Sequence, residues 1–382
     1  MFLAQSDGEG YLDSLFIVWL NKSDINDSLI DFLIDLMELA VSRACRVYFK
    51  TTDIDKKLQI LEELLMVLDQ SLNEPCIKEV LKTIESELPC EIFSEYYWNS
   101  VCIEPYYSKN WKYKQYLYKI VEKLVVNVSK INKMICILVR NLTGLDCRER
   151  LISRNIILKI YQLNEDTKKG IRHSIKYNLS SGFCSKELLE VVLFIISLEK
   201  LEGSGQFYTH YIIVLHSKAN LALFHDTLVR IVFHFLSYQE TLIEFTVKYL
   251  INHFPTTNTE KKTYYLRELA DLSTSFYANI SHQLLFRVAS IFASCIVENH
   301  IKVSHEAFLL LSNIDVKSCF IISQDCSQIL HWATIDAIKA GWNDKIIDEG
   351  KEYLAKTKSQ RFKRPNKNPY SFWKQLKKYD KL

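Results

Sequence analysis

The chain has 382 residues, of which 48% are hydrophobic and 24% charged, a composition that can bury a sizeable core and excludes intrinsic disorder. Nine glycines and six prolines, where average usage gives on the order of 27 and 19, exclude collagen-like, coil-rich and β-sandwich architectures and point to long uninterrupted helices. The formal charge of +3 is unevenly spread: from residue 351 onward eleven Lys or Arg face two acids, a net of +9, which leaves the preceding part at −6.

The first twenty residues hold Asp7, Glu9 and Asp13 and no Lys or Arg, unlike the basic start of a secretory signal, so an intracellular protein is expected. Residues 1–52 are read as a divergent N-terminal helical segment. Across 53–358, apolar residues recur with a period of 3.6. Asp53 is placed to cap a helix whose Leu58, Leu61, Leu65 and Leu68 form one stripe. The next helix begins after Pro75, turns Ile77, Val80, Leu81, Ile84 and Leu88 inward, and stops at Pro89, which has no N–H to continue the ladder. Together they make one antiparallel hairpin. Further helix starts fall near Arg148, Lys186, Leu221 and Thr259, which are 38, 35 and 38 residues apart, the spacing of paired-helix repeats. A helix over 221–235 precedes a polar turn, Ser237-Tyr238-Gln239-Glu240, and a helix over 241–254; one over 260–272 precedes one over 281–297. A lone hairpin leaves apolar surface on two sides, and stacking buries it. The predicted fold is all-α: a right-handed HEAT-like α-solenoid of antiparallel helix pairs, seven or eight units long, with a compact bundle as the alternative. Residues 359–382 are read as a basic C-terminal segment with a final helix. Its Arg361, Lys363, Arg364 and Lys367 fit a nuclear-import patch or a solvated surface, so the expected location is the cytoplasm, with the nucleus open.

Chemistry is sparse in this sequence. The ten cysteines include no C-x-x-C pair and no zinc spacing; most are expected to be small buried hydrophobes in a reducing compartment, as in Ile135-Cys136-Ile137 and Ser294-Cys295-Ile296. Apolar runs such as residues 191–196 fall far short of the roughly 18 residues a membrane span needs, so no membrane partner is expected. Gly203-Ser204-Gly205 is the nearest candidate for a phosphate loop, but it lacks both the Lys-Ser/Thr and a preceding strand and is read as a loop between helices. His216, His225 and His234 recur at intervals of nine, which on a helix turns each about 180° from the last, so they are not expected to share a ligand face. No strand-turn-helix context marks a nucleophile. The expectation is a non-enzyme without cofactor or metal, a scaffold whose surfaces bind partners. Basic residues gathered in the tail rather than striped along the body argue against nucleic acid as a partner.

Several blocks go further. Glu104-Pro105, then Trp111 and Gln115, lead into an aromatic-rich helix. Asp146-Cys147-Arg148-Glu149-Arg150 is followed by Ile160-Tyr161, then by Glu187-Leu188-Leu189-Glu190, Leu215-His216, Phe254-Pro255 and Leu266-x-Glu268-Leu269. In this order they resemble the B-prime family of regulatory subunits of the type 2A serine/threonine protein phosphatase. Cys147 replaces the proline of that family's Asp-Pro-Arg-Glu-Arg start, and Tyr96-Tyr97-Trp98-Asn99-Ser100 stands where the family has an acidic stretch. The N-terminal fifty residues match poorly, and the segment between Tyr161 and Glu190 is shorter than usual.

The resemblance implies a HEAT-like fold, a non-catalytic role, and partners in the phosphatase scaffold and catalytic subunits, with any metal belonging to the partner. Glu104 and Pro105 would sit in the loop facing the phosphatase core. It also implies recognition of substrates carrying a Leu-x-x-Ile-x-Glu motif. The family's tyrosine falls on Tyr161 and its two arginines on Lys168 and Arg172, while Glu190, Val191 and Ile195 would wall the apolar pockets. Leu158 and Lys159 replace a His-Arg pair before the Ile-Tyr, and a histidine of the following repeat is lost around Ser204. On residues alone, Val191 and Ile195 read equally as repeat core, and Lys168 and Arg172 as a solvated face. A HEAT-repeat adaptor for transport or complex assembly, unrelated to a phosphatase, is the alternative function.

Overall fold

The computed structural model describes residues 27–67, 74–89, 106–124, 132–163, 165–182, 184–199 and 203–357. Among them no strand forms, and one isolated parallel bridge joins Tyr106 to Asp146. The chain falls into two compact units, the first ending at Leu198 and the second beginning at Glu199. This division lies inside the 53–358 segment read from the sequence as a single array.

The first unit holds α1 (Asp27–Lys50), α2 (Ile54–Val67), α3 (Glu74–Glu85), α4 (Trp111–Leu124), α5 (Asn132–Asn141), α6 (Cys147–Leu163), α7 (Glu165–Ser180) and α8 (Lys186–Leu198). Each helix packs on the next but one: α2, α4, α6 and α8 make one layer, and α1, α3, α5 and α7 the other. Within the second unit α9 covers residues 204–217, opening as one α-turn, widening to a π-helix over Tyr208–Ile212 and tightening to a 3-10 helix over Ile213–Ser217. It is followed by α10 (His225–Tyr238), α11 (Thr241–Asn252), α12 (Thr259–Ser275), α13 (His282–Ile296), α14 (Ile301–Ser312), α15 (Ile314–Ile321), α16 (Gln324–Ala340) and α17 (Asp344–Thr357). Here α11, α13 and α16 form one layer and α12, α14 and α17 the other. Among the described residues no helix is long and apolar enough to cross a membrane.

The repeat period is written in the bonds between neighbouring pairs. Lys114–Glu149, Arg154–Glu190, Tyr208–Thr246 and Arg267–Glu306 join side chains separated by 35, 36, 38 and 39 residues. Equivalent positions of successive hairpins are therefore tied side chain to side chain. Helix starts follow local rules: Asn258 and Ser323 accept from the backbone N–H three residues on, at 2.9 and 3.3 Å, as N-caps do.

Several sequence expectations change. The α2 stripe uses Leu58, Leu61 and Leu64, with Leu65 half-buried, because 3.6 residues per turn carries the buried face back by one position. Cys45, Cys76, Cys184, Cys295, Cys319 and Cys326 are buried, but Cys136 and Cys147 are exposed. Cys136 sits in an apolar triplet yet on the outer face of α5, since Ile135 and Leu138 take the inner one. Gly203 has φ of +66° and precedes a helical turn that already includes Ser204 and Gly205, so the glycine pair opens α9 instead of spanning a loop. Leu68, Cys90, Tyr96-Tyr97-Trp98-Asn99-Ser100, Cys102, Glu104, Pro105 and the basic tail lie outside the described residues.

Gly350 shows how tightly the layers close. A Cβ there would stand 2.9 Å from Cγ1 of Ile338, across the α16–α17 contact. Gly350→Ala is expected to destabilise the second unit by about 1–3 kcal/mol through overpacking, despite alanine's better helix propensity. Denaturant titration followed by circular dichroism checks this; an unchanged or raised midpoint contradicts it.

Candidate functional site

The α6–α7 hairpin is set at its entry by Asp146, whose carboxylate accepts from the backbone N–H of Ser108 at 2.8 Å and of Arg148 at 2.9 Å. The Arg148 guanidinium closes on the same carboxylate at 2.7 Å and lies over the rings of Tyr107, 5.0 Å away, and Trp111, 4.4 Å away. Burial opposes ionisation of Asp146, yet Arg148 and the two N–H donors hold it below the ordinary carboxylate range. The residues just after Glu104-Pro105 are thereby tied to the start of α6. Cys147 takes the first helical position, where proline's missing N–H would leave no ladder bond unmade.

At the far end of α6, Tyr161 is fully buried as a side chain, and its hydroxyl accepts from Nη1 of Arg172 at 3.0 Å. The Lys168 ammonium stands 5.3 Å from the Tyr161 ring centre and pairs with Glu165 at 2.6 Å. Lys168 and Arg172 are one turn apart on α7, so both cations reach the same tyrosine. Two cations and a hydroxyl in one place make the donor set that recognises a carboxylate.

The other residues singled out in the sequence are placed differently. Val191 and Ile195 are 0% and 3% exposed and belong to the core of α8, so they offer no open pocket wall. Glu190 is held by Arg154 and, at 3.9 Å, by Lys186. Leu158 is half-buried, and Lys159 is exposed, 3.4 Å from Glu122. Phe194, not singled out in the sequence, meets the Tyr161 ring edge-on with centroids 6.5 Å apart. It follows Glu190 by four residues, but its meeting with Tyr161 depends on how α6 and α8 pack, which the sequence pattern does not carry.

Two buried polar clusters were also missed. In the first unit Lys114 donates to Glu149 at 2.9 Å, Tyr118 donates to the other carboxylate oxygen at 3.2 Å, and Asn141 donates to the Tyr118 hydroxyl at 2.8 Å. In the second, Nε2 of His216 and Nε2 of His225 reach Oε2 of Glu268 at 3.0 and 3.2 Å. The expectation that His216 and His225 cannot face one ligand assumed a continuous helix. Instead, His216 lies in a 3-10 turn and His225 opens α10, and the break between them removes the 180° rotation. His234 lies within α10, where its ring meets Tyr238 with centroids 5.0 Å apart. The Ile213 carbonyl accepts from Nδ1 of His216 at 2.8 Å, which fixes the ring in place. Burial alone would raise the Glu268 carboxyl, but the two histidines outweigh it and hold it at about 2.

Stacked helix hairpins bonded repeat to repeat, with two cations and a tyrosine hydroxyl gathered on one of them, define a helical-repeat protein. Residues 42–369 match the family profile described as protein phosphatase 2A regulatory B subunit, B56 family. The chain belongs to that family. It is 27% identical over 232 residues to the beta isoform of the 56 kDa regulatory subunit of serine/threonine-protein phosphatase 2A from Mus musculus, covering 56% of this chain and 46% of that protein. To the B-prime beta isoform of the 57 kDa regulatory subunit from Arabidopsis thaliana it is 23% identical over 265 residues, 64% of this chain and 53% of that protein. The chain thus spans about half the length of these curated relatives.

Proposed function

We propose that this chain is a non-catalytic regulatory subunit that binds a type 2A phosphatase core, through its scaffold and catalytic subunits, and presents substrates to it through short linear motifs. The observation that carries the reading is the family match over residues 42–369, within which Tyr161, Lys168 and Arg172 converge at the α6–α7 turn. A carboxylate entering there meets two cations and a hydroxyl, each charge-assisted bond contributing on the order of 1.5–3 kcal/mol where water is partly excluded. Lys168 supplies a point charge rather than a planar fork, so the position of the acid is held less strictly.

The decisive experiment is affinity purification from the protein's own cells with identification of co-purifying subunits. A type 2A scaffold and catalytic subunit are expected, and the purified chain alone should hydrolyse no phosphopeptide. Recovery without either subunit would favour an unrelated adaptor. For the motif site, Arg172→Ala should weaken a Leu-x-x-Ile-x-Glu peptide by about tenfold or more in a fluorescence titration. Equal affinity for wild type and variant would remove this hairpin from the proposal.

A further inference from the structure

We infer that the outward faces of α3, α5 and α7 form a basic surface that attaches the chain peripherally to an anionic lipid bilayer. Attachment of this kind needs no spanning helix, so it is compatible with apolar runs too short to cross a membrane. It departs from the expectation of no membrane partner, which rested on the lack of a span alone.

The three helices are neighbours in one layer, with α5 packed on both α3 and α7. On α5, Met134, Ile135 and Leu138 turn inward and leave Lys133 and Arg140 exposed on the opposite face. On α7, Ile171, Ser174 and Ile175 turn inward and leave Lys169 and Lys176 exposed at the same spacing of seven residues. On α3, Val80 and Ile84 are buried, while Lys78 and Lys82 are exposed one turn apart. A rise of 1.5 Å per residue and packed helices about 8–10 Å apart therefore spread these cations in two dimensions, roughly 6–10 Å from one another.

Carboxylates leave most of this charge uncompensated. Lys133 pairs with Glu85 at 2.6 Å, but Lys82, Arg140, Lys169 and Lys176 have no carboxylate within ion-pair distance among the described residues. On α7 the exposed acids, Glu165 and Asp166, are confined to the first turn, and Glu165 is taken by Lys168. The other layer of the same unit differs: Arg150, Arg154 and Lys159 are each paired with a carboxylate of a neighbouring helix. Cations spread over three helices fit a planar anionic surface, whereas an extended polyanion touches a single line. Apolar groups flank the array, Tyr177 beside Lys176 at 71% exposure and Val47 on α1, which packs on α3. An aromatic ring with a polar tip, set among cations, suits the headgroup level of a bilayer. Near an anionic leaflet each Lys or Arg raises partitioning about fivefold, within a screening length of about 8 Å at physiological salt.

The test is co-sedimentation of the full chain with vesicles of phosphatidylcholine alone or mixed with phosphatidylserine. Partitioning onto the mixed vesicles, falling steeply with added salt, is expected. Combining Lys82→Gln, Arg140→Gln and Lys169→Gln should lower it about a hundredfold, and Tyr177→Ala should lower it independently. The matched triple Lys56→Gln, Lys112→Gln and Lys119→Gln, exposed on α2 and α4, removes the same charge and should lower it far less. Because the tail is also basic, both triples are repeated with Arg361, Lys363, Arg364 and Lys367 changed to Gln, and the difference between them should persist. Circular dichroism checks that each variant keeps its helicity. Equal partitioning of the two triples, equal binding to both kinds of vesicle, or loss of all vesicle binding on neutralising the tail alone would overturn the proposal. Binding of polyglutamate without binding of vesicles would also overturn it, and would make an acidic polypeptide the partner of this face.

Discussion

Replacing Glu268 by alanine is expected to destabilise the second unit by about 3–5 kcal/mol, because it leaves His216 and His225 buried without their shared acceptor. His216 is wholly buried and His225 nearly so, which means that water cannot substitute for the lost carboxylate. The cluster joins three elements, the end of α9, the start of α10 and α12, so its loss should loosen the turn between residues 217 and 225 as well as lower global stability. Tyr265, which donates to the backbone carbonyl of His216 at 2.9 Å, and Lys261, which donates to that of Lys218 at 3.1 Å, brace the same turn from α12. The pH dependence has a definite sign. With the Glu268 carboxyl held at about 2, below its unfolded value near 4.3, its contribution is fully present above that unfolded value and is lost as the pH falls toward 2. In Glu268→Ala that carboxylate contribution is absent at every pH. The gap between wild type and variant should therefore be full near neutral pH and narrow as the pH falls from about 4.3 toward 2. Denaturant melts at pH 7.5 and 3, with hydrogen exchange to localise the opening, test this. Equal stability of the two proteins at pH 7.5 would show that the cluster is dispensable.

The α-helical repeats were legible because they rest on local rules. Ile77, Val80, Leu81, Ile84 and Leu88 recur at helical spacing and are all buried, and helix starts at Cys147, Lys186 and Thr259 fall at or next to the positions read from the sequence. Leu221 was read as a fourth start, but it opens a short 3-10 turn and α10 begins at His225. The same irregularity hid the Glu268 cluster: a π-turn and two 3-10 turns lie between Tyr208 and His225, and a 3.6-residue period has no meaning across them. Around Tyr161, Lys168 and Arg172 were readable as one-turn neighbours, but Phe194 was not. Which residue of α8 meets Tyr161 depends on how α6 and α8 lie side by side, and no single-helix pattern encodes that. Arg154 as the partner of Glu190 follows from the repeat offset of 36 residues, a signal present in the sequence but visible only once the layers are known. Cys136 marks the limit of composition: three apolar residues in a row on a helix must spread over most of its circumference, so one of them faces out.

Lys114→Met is expected to destabilise the first unit by about 3–5 kcal/mol, while removal of the whole charged pair should be far milder. Lys114 and Glu149 are 6% and 1% exposed, so deleting the cation leaves a carboxylate in a core that water does not reach. Burial already raises the Glu149 carboxyl, with Lys114 and the Tyr118 hydroxyl opposing that rise. Without Lys114 the rise goes further, and the folded variant gains protons relative to the unfolded chain. For a carboxyl raised on folding, stability is greatest below the unfolded value near 4.3 and declines as the pH climbs through the folded one. The Lys114→Met penalty should accordingly be largest near pH 8 and shrink as the pH is lowered toward 5. Combining Lys114→Met with Glu149→Leu removes both charges but orphans the proton of Tyr118, which donates to Glu149 in the native core. Adding Tyr118→Phe removes that donor; Asn141 loses its bond to the hydroxyl but keeps the one to the Leu88 carbonyl at 3.0 Å. The triple variant should lie within about 2 kcal/mol of wild type, as apolar replacements of buried pairs commonly do, and should lose the pH dependence of the single variant. A triple variant as unstable as Lys114→Met would show that the packing shape around Lys114, and not its charge, holds α4 against α6.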